Sequence, residues 1–331
     1  MAKKMPLALI AIGGNALITD SDHKSIQDQS KAAEGASRHI AEIVENGWSV
    51  VVIHGNGPQV GFNLRRSEIS RGEVPPVPMD YAGADTQGTM GFMFQRALYN
   101  EFHRRGIERK AIAVVSQVLV NHADPAFSHP TKPIGSYMDE ANAKHYAKAH
   151  GWVVREEPGR GWRRVVASPQ PEKIVDIDAI RALIANDFIV IACGGGGIPV
   201  IADTDGSLHS VEAVIDKDFT GGLLARELDA EMLVIASKVD RVALNFDRPD
   251  REWLSNMTVS EAKHYCDEGH FPEGSMGPKI SSLIEFVESG CGHGLVTNVA
   301  NLSRAFDGLA GTQILPDSGT AADSRRDRSL Q

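Results

Sequence analysis

Short apolar runs alternate with stretches of helical period along most of the chain. LALIAI (7–12) predicts a first strand, and SKAAEGASRHIAEIVEN (30–46) a helix that Gly47 ends. SVVVI (49–53) predicts the next strand, followed by a helix opening near Pro58, since proline suits a first helical turn. The pattern continues with a long helix over 85–105, a strand over 111–120, a helix over 176–187 capped by Asp176, and the strand FIVIA (188–192). VEAVI (211–215) leads into a helix from about Asp218 to Leu228, then strands over 232–237 and 241–246. Helices over 258–268 and 278–289 precede GLVTN (294–298) and a closing strand TQILP (312–316). Strands alternating with helices predict an α/β fold, a mainly parallel sheet covered by helices on both faces as a three-layer αβα sandwich.

One stretch departs from this rhythm. Residues 121–170 carry three breaks before proline (Asp124-Pro125, His129-Pro130, Lys132-Pro133) and a polar helix near 139–149. Two hairpin strands, GWVVREE and GWRRVVAS, are joined there by Pro158-Gly159-Arg160. This predicts a small protruding subdomain inserted into a single domain spanning 1–316. The polar tail 317–331 is expected to be disordered. No internal repeat is visible.

Composition narrows the class. Apolar content of 42% and charged content of 23% suit a soluble globular protein, and the net charge of −9 argues against a nucleic-acid partner. Cys193, Cys266 and Cys291 are far apart with no CxxC, which excludes a disulfide framework and a zinc ribbon. The charged, then apolar start is too short and too glycine-broken for a signal peptide, and no run of about 18 apolar residues offers a membrane span. The expectation is a soluble cytoplasmic protein.

Candidate chemistry sits where apolar runs end. The first strand breaks into Gly13-Gly14-Asn15, the second into His54-Gly55-Asn56-Gly57-Pro58, and FIVIA into Cys193 and then Gly194 to Gly197. Bare backbone at a strand end lets amide groups approach an anion, and a following helix N-terminus adds partial positive charge. Taken alone, Gly13-Gly14 is a tight turn, but four successive glycines exceed what a turn needs and are read as backbone approaching an anion with no room for a β-carbon. Lys217, between Asp216 and Asp218, reads either as a solvated charge run or as a phosphate ligand. Lys279 follows Gly277-Pro278 at a helix start, where a cation opposes the helix dipole unless an anion shares the place. Lys132 is pinned between prolines, away from these motifs. His122 and His129 lack metal-ligand spacing, the arginines at 155, 160, 163 and 164 read as a solvated hairpin face, and Cys193 reads as a small buried residue. There is no GxxxxGK[ST] and no GxGxxG after the first strand, so neither a P-loop nor a dinucleotide fingerprint is present. The chemistry indicated is that of phosphate.

Seven strings carry a resemblance: GGNA (13–16), HGNGPQVG (54–61), DPAF with PTKPIG (124–135), GWRRVVASPQP (161–171), CGGGGIPV (193–200), EAVIDKD (212–218) and GSMGPK (274–279). In this order they resemble the amino acid kinase superfamily and, within it, the carbamate kinases, to about residue 315. The resemblance implies reversible phosphoryl transfer between carbamoyl phosphate and ADP. It implies that Lys132 reaches the transferring group from the inserted subdomain, that Lys217 and Lys279 hold nucleotide phosphates, and that Asp218 orients the lysines. Gly13, Gly14, Asn15, Gly55, Asn56 and Gly57 would cradle the carbamate and phosphoryl groups, and Gly194, Gly195 and Gly196 the nucleotide. It further implies Mg2+ carried by ATP or ADP, in indirect contact with Asp216 at most, and a homodimer. SKVDRVAL (237–244) departs from the threonine-aspartate segment expected near the adenine pocket. The alternatives are a related kinase of a larger acyl acid and a non-catalytic nucleotide-binding regulatory module; a module of the second kind would need no Lys132.

Overall fold

The computed structural model describes residues 5–18, 22–272 and 274–317. Eight strands form the central sheet in the order Asn256–Thr258, Thr312–Leu315, His293–Asn298, Met232–Ser237, Leu7–Ile12, Ser49–His54, Ile189–Ile191, Ala111–Ala113. From His293–Asn298 onward every pairing is parallel; Thr312–Leu315 alone meets its inner neighbour antiparallel. A parallel sheet needs cover on both faces, and an unbroken apolar strand provides for it. In Leu7–Ile12 the alternate residues Leu7, Leu9 and Ala11 enter one core with Leu224, Leu283 and Phe286. Ala8, Ile10 and Ile12 enter another with Ile40, Phe94 and Leu98. Helices Lys217–Glu227 and Met276–Glu288 cover the first face, Ile26–Glu45 and Met79–Arg105 the second. The architecture is the three-layer sandwich the alternation predicts.

Three smaller sheets accompany it among the described residues, the smallest pairing Ala243–Leu244 with Glu252–Trp253. Gln117–Val120 pairs with Ile198–Ala202 and Pro171–Ile174, and Leu208–Ser210 completes that set. Lys132–Met138, Gly161–Val166 and Val153–Glu157 form a three-stranded antiparallel sheet with helix Glu140–His150 beside it. The reading of the tail falls, beyond Asp317, outside the described residues; Asp317 itself accepts hydrogen bonds from the Ser260 amide and hydroxyl.

Several boundaries differ from the sequence reading, each for a local reason. The first helix starts at Ile26 because Ser25 and Asp28 close a capping box. The helix expected over 85–105 starts at Met79, straight after Pro78. The apolar run 111–120 is two strands in two sheets, parted where Ser116 turns its amide to Gln87 and its hydroxyl to the Val114 carbonyl. In 241–246 only Ala243–Leu244 is extended, since Asn245 takes a left-handed conformation. Asp176 stands at the N-cap but does not cap with its side chain, which accepts from the Gln117 amide at 2.7 Å.

His54 ends its strand fully inside, stacked on Phe94 with ring centroids 6.2 Å apart. Its Nδ1 donates to the Gly55 carbonyl, and burial pushes the imidazole down to about 4. A free histidine titrates near ~6.5, so the unfolded chain takes up the proton first as pH falls. The stability due to neutral His54 is complete above about pH 6.5 and lost as pH falls toward 4, amounting to about 3 kcal/mol. Urea unfolding between these pH values should show that loss, and His54→Gln should flatten it. An equal loss in the variant would contradict the assignment.

Candidate active site

The parallel strands Leu7–Ile12, Ser49–His54 and Met232–Ser237 end at one cleft of about 510 Å3. Its walls include Gly13, Gly14, Gly55, Asn56, Gly57, Lys132, Asp216, Lys217, Asp218 and Lys279. Three helices begin on these walls: Gly57–Ser70, Lys217–Glu227 and Met276–Glu288. Neither Asn56 nor Ser275, at the starts of the first and third, caps its helix with a side chain, so the dipole's positive end is left for an anion at both, although at the third the Gly277 amide already donates to the Pro272 carbonyl and Pro278 has no N–H. Strand 7–12 is tied to its neighbours here, the Gly13 amide donating to Ala236 and the Gly55 amide to Ile12. A β-carbon on Gly55 would lie 2.5 Å from the Gly14 nitrogen and 3.1 Å from Cδ of Lys217. The two glycine turns and the lysine stem therefore pack as one unit. The backbone of Asn15 lies in the 3-10 turn Gly14–Leu17; its side chain is outside the described set.

The charged residues form two linked groups, one carboxylate with two lysines and one with a single lysine. Asp218, with its side chain 4% exposed, accepts Lys217 on Oδ1 and Lys279 on Oδ2, the latter at 2.6 Å. Asp216 accepts Lys132 on Oδ2 at 2.5 Å and the Asp218 amide on Oδ1 at 3.0 Å, so it caps the helix carrying Lys217. Burial alone would raise the Asp218 carboxyl, but the two ammonium groups overcome it and hold the group well below the usual carboxylate range. Burial lowers Lys217, with Asp218 opposing and Lys279 adding to the shift. The Ser282 hydroxyl donates to the Asp218 carbonyl, tying together the two helices that bear Lys217 and Lys279. Lys132 thus stands beside the Lys217 and Lys279 segments, one carboxylate away from Lys217, and not apart from them as its place in the sequence suggests.

The four-glycine run has a steric reason within the chain itself. β-Carbons on Gly194, Gly195, Gly196 and Gly197 would come within 2.3 Å of His54, 2.0 Å of Asn56, 2.5 Å of the Ile215 carbonyl and 2.2 Å of Val118. The last three also have positive φ, between 73° and 105°. The chain's own atoms suffice to exclude the side chains, and of the four Gly195 reaches the cleft wall. Replacement there disturbs the site's frame before it touches a ligand. Cys193 is buried, with its thiol pushed up to about 12 by burial, and is no nucleophile.

The cleft's other end was legible only in part. Val239, Ala243, Phe246, Phe271, Pro272 and Met276 line an apolar portion, with Lys238, Arg241 and His270 beside it. Lys238 to Phe246 follow strand 232–237, in and beside the 237–244 segment that the resemblance sets near the adenine pocket. His270, Phe271 and Pro272, by contrast, lie between helices Val259–Asp267 and Met276–Glu288, and Met276 at the start of the latter, where nothing in the sequence pattern marks them as site residues. His122 and His129 are exposed, and no cluster of three or more metal-ligating side chains exists among the described residues. Arg163 and Arg164 are not a solvated face. Arg163 packs on Tyr137 and donates to the Gly135 carbonyl, and Arg164 lies over Trp152 and pairs with Glu212.

The profile of the amino acid kinase family matches residues 6–298. The chain is 44% identical over 310 residues to the carbamate kinase of Pyrococcus furiosus, covering 93% of itself and 98% of that protein. It is 44% identical over 312 residues to the carbamate kinase-like protein YahI of Escherichia coli, covering 93% and 98%. Carbamate kinase from Giardia lamblia bound to AMP-PNP superposes with a TM-score of 0.89 at 36% identity, over 95% of this chain and 99% of that one. Sequence, fold and the lysine–aspartate cleft agree, and the chain belongs to the carbamate kinases of the amino acid kinase family.

Proposed function

We propose that the cleft transfers a phosphoryl group reversibly between carbamoyl phosphate and ADP. The carrying observation is the juxtaposition of Lys132, Lys217 and Lys279, fixed by Asp216 and Asp218, with the glycine turns and open helix starts on one wall. A terminal oxygen of ADP forms a bond to phosphorus while the bond to the carbamoyl oxygen breaks, and the electron pair leaves with carbamate. Carbamate departs as an anion and, in reverse, attacks as one, so no general base is required. What the step needs is alignment and neutralised charge, which preorganised cations and amides supply. Lys217 and Lys279 hold the nucleotide phosphates, Lys132 the group in flight, and the Gly13–Gly14 and Gly55–Gly57 turns the carbamoyl phosphate end. The apolar portion around Phe246 and Phe271 takes the adenine.

Mg2+ travels with the nucleotide in this reading. Such ions are often held by one or two carboxylates plus substrate phosphates, and Asp216 on the cleft wall fits that sparse set. When bound, the ion neutralises phosphate charge. Lys132 distinguishes catalysis from mere nucleotide sensing, since a sensor has no use for a cation at the transferring group. The reading places the protein in the cytoplasm, where the nucleotide is supplied; no helix among the described residues is long and apolar enough to cross a membrane.

We also propose a homodimer. On helix Met79–Arg105 one face is core, through Met90, Phe94, Leu98 and Phe102. Tyr81, Phe92 and Tyr99 repeat on the opposite face and are 60–64% exposed, an apolar stripe that a second copy would cover. Light scattering at micromolar concentration should give about twice the 35.7 kDa of one chain; a single-chain mass would overturn the dimer.

The activity is tested by following ATP formation from ADP and carbamoyl phosphate. Lys132→Ala should lower kcat by about a hundredfold or more while the ADP KM moves little, because a charge acting on the transferring group serves the transition state. Unchanged kcat with weakened ADP binding would refute this role.

A further inference from the structure

Asn56 lines the cleft, 7% exposed, and its side chain ends in an NH2 group that donates and a carbonyl oxygen that accepts. Which end faces the substrate decides what the residue can recognise. Although it occupies the N-cap position of helix Gly57–Ser70, its side chain does not cap. Nδ2 instead lies 2.8 Å from Oγ1 of Thr86, a residue 2% exposed within helix Met79–Arg105. The Thr86 hydroxyl owns a single proton, and that proton goes to the Gly83 carbonyl at 2.6 Å. Toward Asn56, therefore, Thr86 can only accept, and only the NH2 end of the carboxamide can donate to it. A flipped carboxamide would set two lone-pair oxygens against each other in a buried place.

The surroundings leave little freedom to adjust. The carboxamide lies against Gly195, where a β-carbon would come within 2.0 Å of Nδ2 and 2.6 Å of Oδ1. Gln87, next to Thr86, binds the Ser116 amide and carbonyl and the Gly194 carbonyl, which locks the helix to the same turn. Helix, turn and carboxamide form one hydrogen-bonded unit behind the cleft.

We propose that Thr86 is a positioning residue that commits Asn56 to present its acceptor, Oδ1, to the cleft, and that this oxygen reads the NH2 group of carbamoyl phosphate and carbamate. This deepens the activity proposed above and rests on it. An acyl phosphate with a methyl group in place of NH2 has nearly the same shape but nothing to donate. A site built to hydrogen-bond a substrate N–H discriminates strongly against such an analogue, because its buried acceptor is left unpaired.

The test compares carbamoyl phosphate as substrate with acetyl phosphate as competitive inhibitor, at saturating ADP. The unsubstituted protein should favour carbamoyl phosphate by at least about tenfold, comparing its KM with the inhibitor's Ki. Thr86→Val keeps the shape but removes the acceptor; it should raise the carbamoyl phosphate KM about tenfold and leave the acetyl phosphate Ki and the ADP KM in place. Thr86→Ser restores the hydroxyl and should restore the preference. A loss of packing alone would move both constants together and would not be rescued by serine. No preference in the unsubstituted protein, or an unchanged ratio in Thr86→Val, would overturn the inference, and the first of these readouts stands even if the valine variant does not fold. Absence of any turnover in the unsubstituted protein would overturn the activity and this inference with it, whereas turnover with an unchanged ratio overturns only the role of Thr86 and Asn56.

Discussion

Asp218 is one buried carboxylate shared by two ammonium groups, Lys217 on one oxygen and Lys279 on the other. Each lysine stands in the first turn of a helix, where the dipole opposes a cation, and the two repel each other. Without the carboxylate the arrangement would carry uncompensated positive charge in a largely buried place. Breaking such a pair from one side typically costs about 3–5 kcal/mol. With the carboxylate, both side chains are ordered before any substrate arrives. An arriving polyphosphate finds cations already placed, with no further side-chain entropy to lose.

The rest of the fold serves that placement. Parallel strands must send their carboxyl ends to one edge, so the turns after residues 12, 54 and 237 meet there as a consequence of topology. Close approach of those turns demands glycine at 14 and 55, and the Lys217 stem fills the space this leaves. Lys132 arrives from a different sheet and is fixed by Asp216, the residue that caps the Lys217 helix. Helix Met79–Arg105 acts from behind, holding Asn56 through Thr86 and the 193–196 turn through Gln87.

The sequence carried the sandwich because strands buried on both faces must be apolar, and Leu7–Ile12 is so throughout and Met232–Ser237 up to its last residue. It carried the candidate lysines because Lys132 and Lys279 sit in proline- and glycine-marked contexts and Lys217 sits between two aspartates after an apolar run. It did not carry their pairing. Lys132 and Asp216 are 84 residues apart, and nothing in the local pattern joins them. The glycine run was legible only in part, because a residue type reports that a β-carbon is excluded and not what excludes it; His54, Asn56, Ile215 and Val118 supply the intrachain contacts. The break inside 111–120 was hidden for a similar reason. Its cause is the distant Gln87, whose side chain captures Ser116.

The central claim is that the Asp218 charge keeps Lys217 and Lys279 in working position. Asp218→Asn retains the side chain's size while removing that charge. Steady-state ATP formation from ADP and carbamoyl phosphate, measured on a variant shown by circular dichroism to be folded, tests the claim most directly. The account predicts a fall in kcat/KM of at least about a hundredfold. Turnover within about threefold of the unsubstituted protein would contradict it, since two lysines that work equally well without their shared carboxylate do not depend on it.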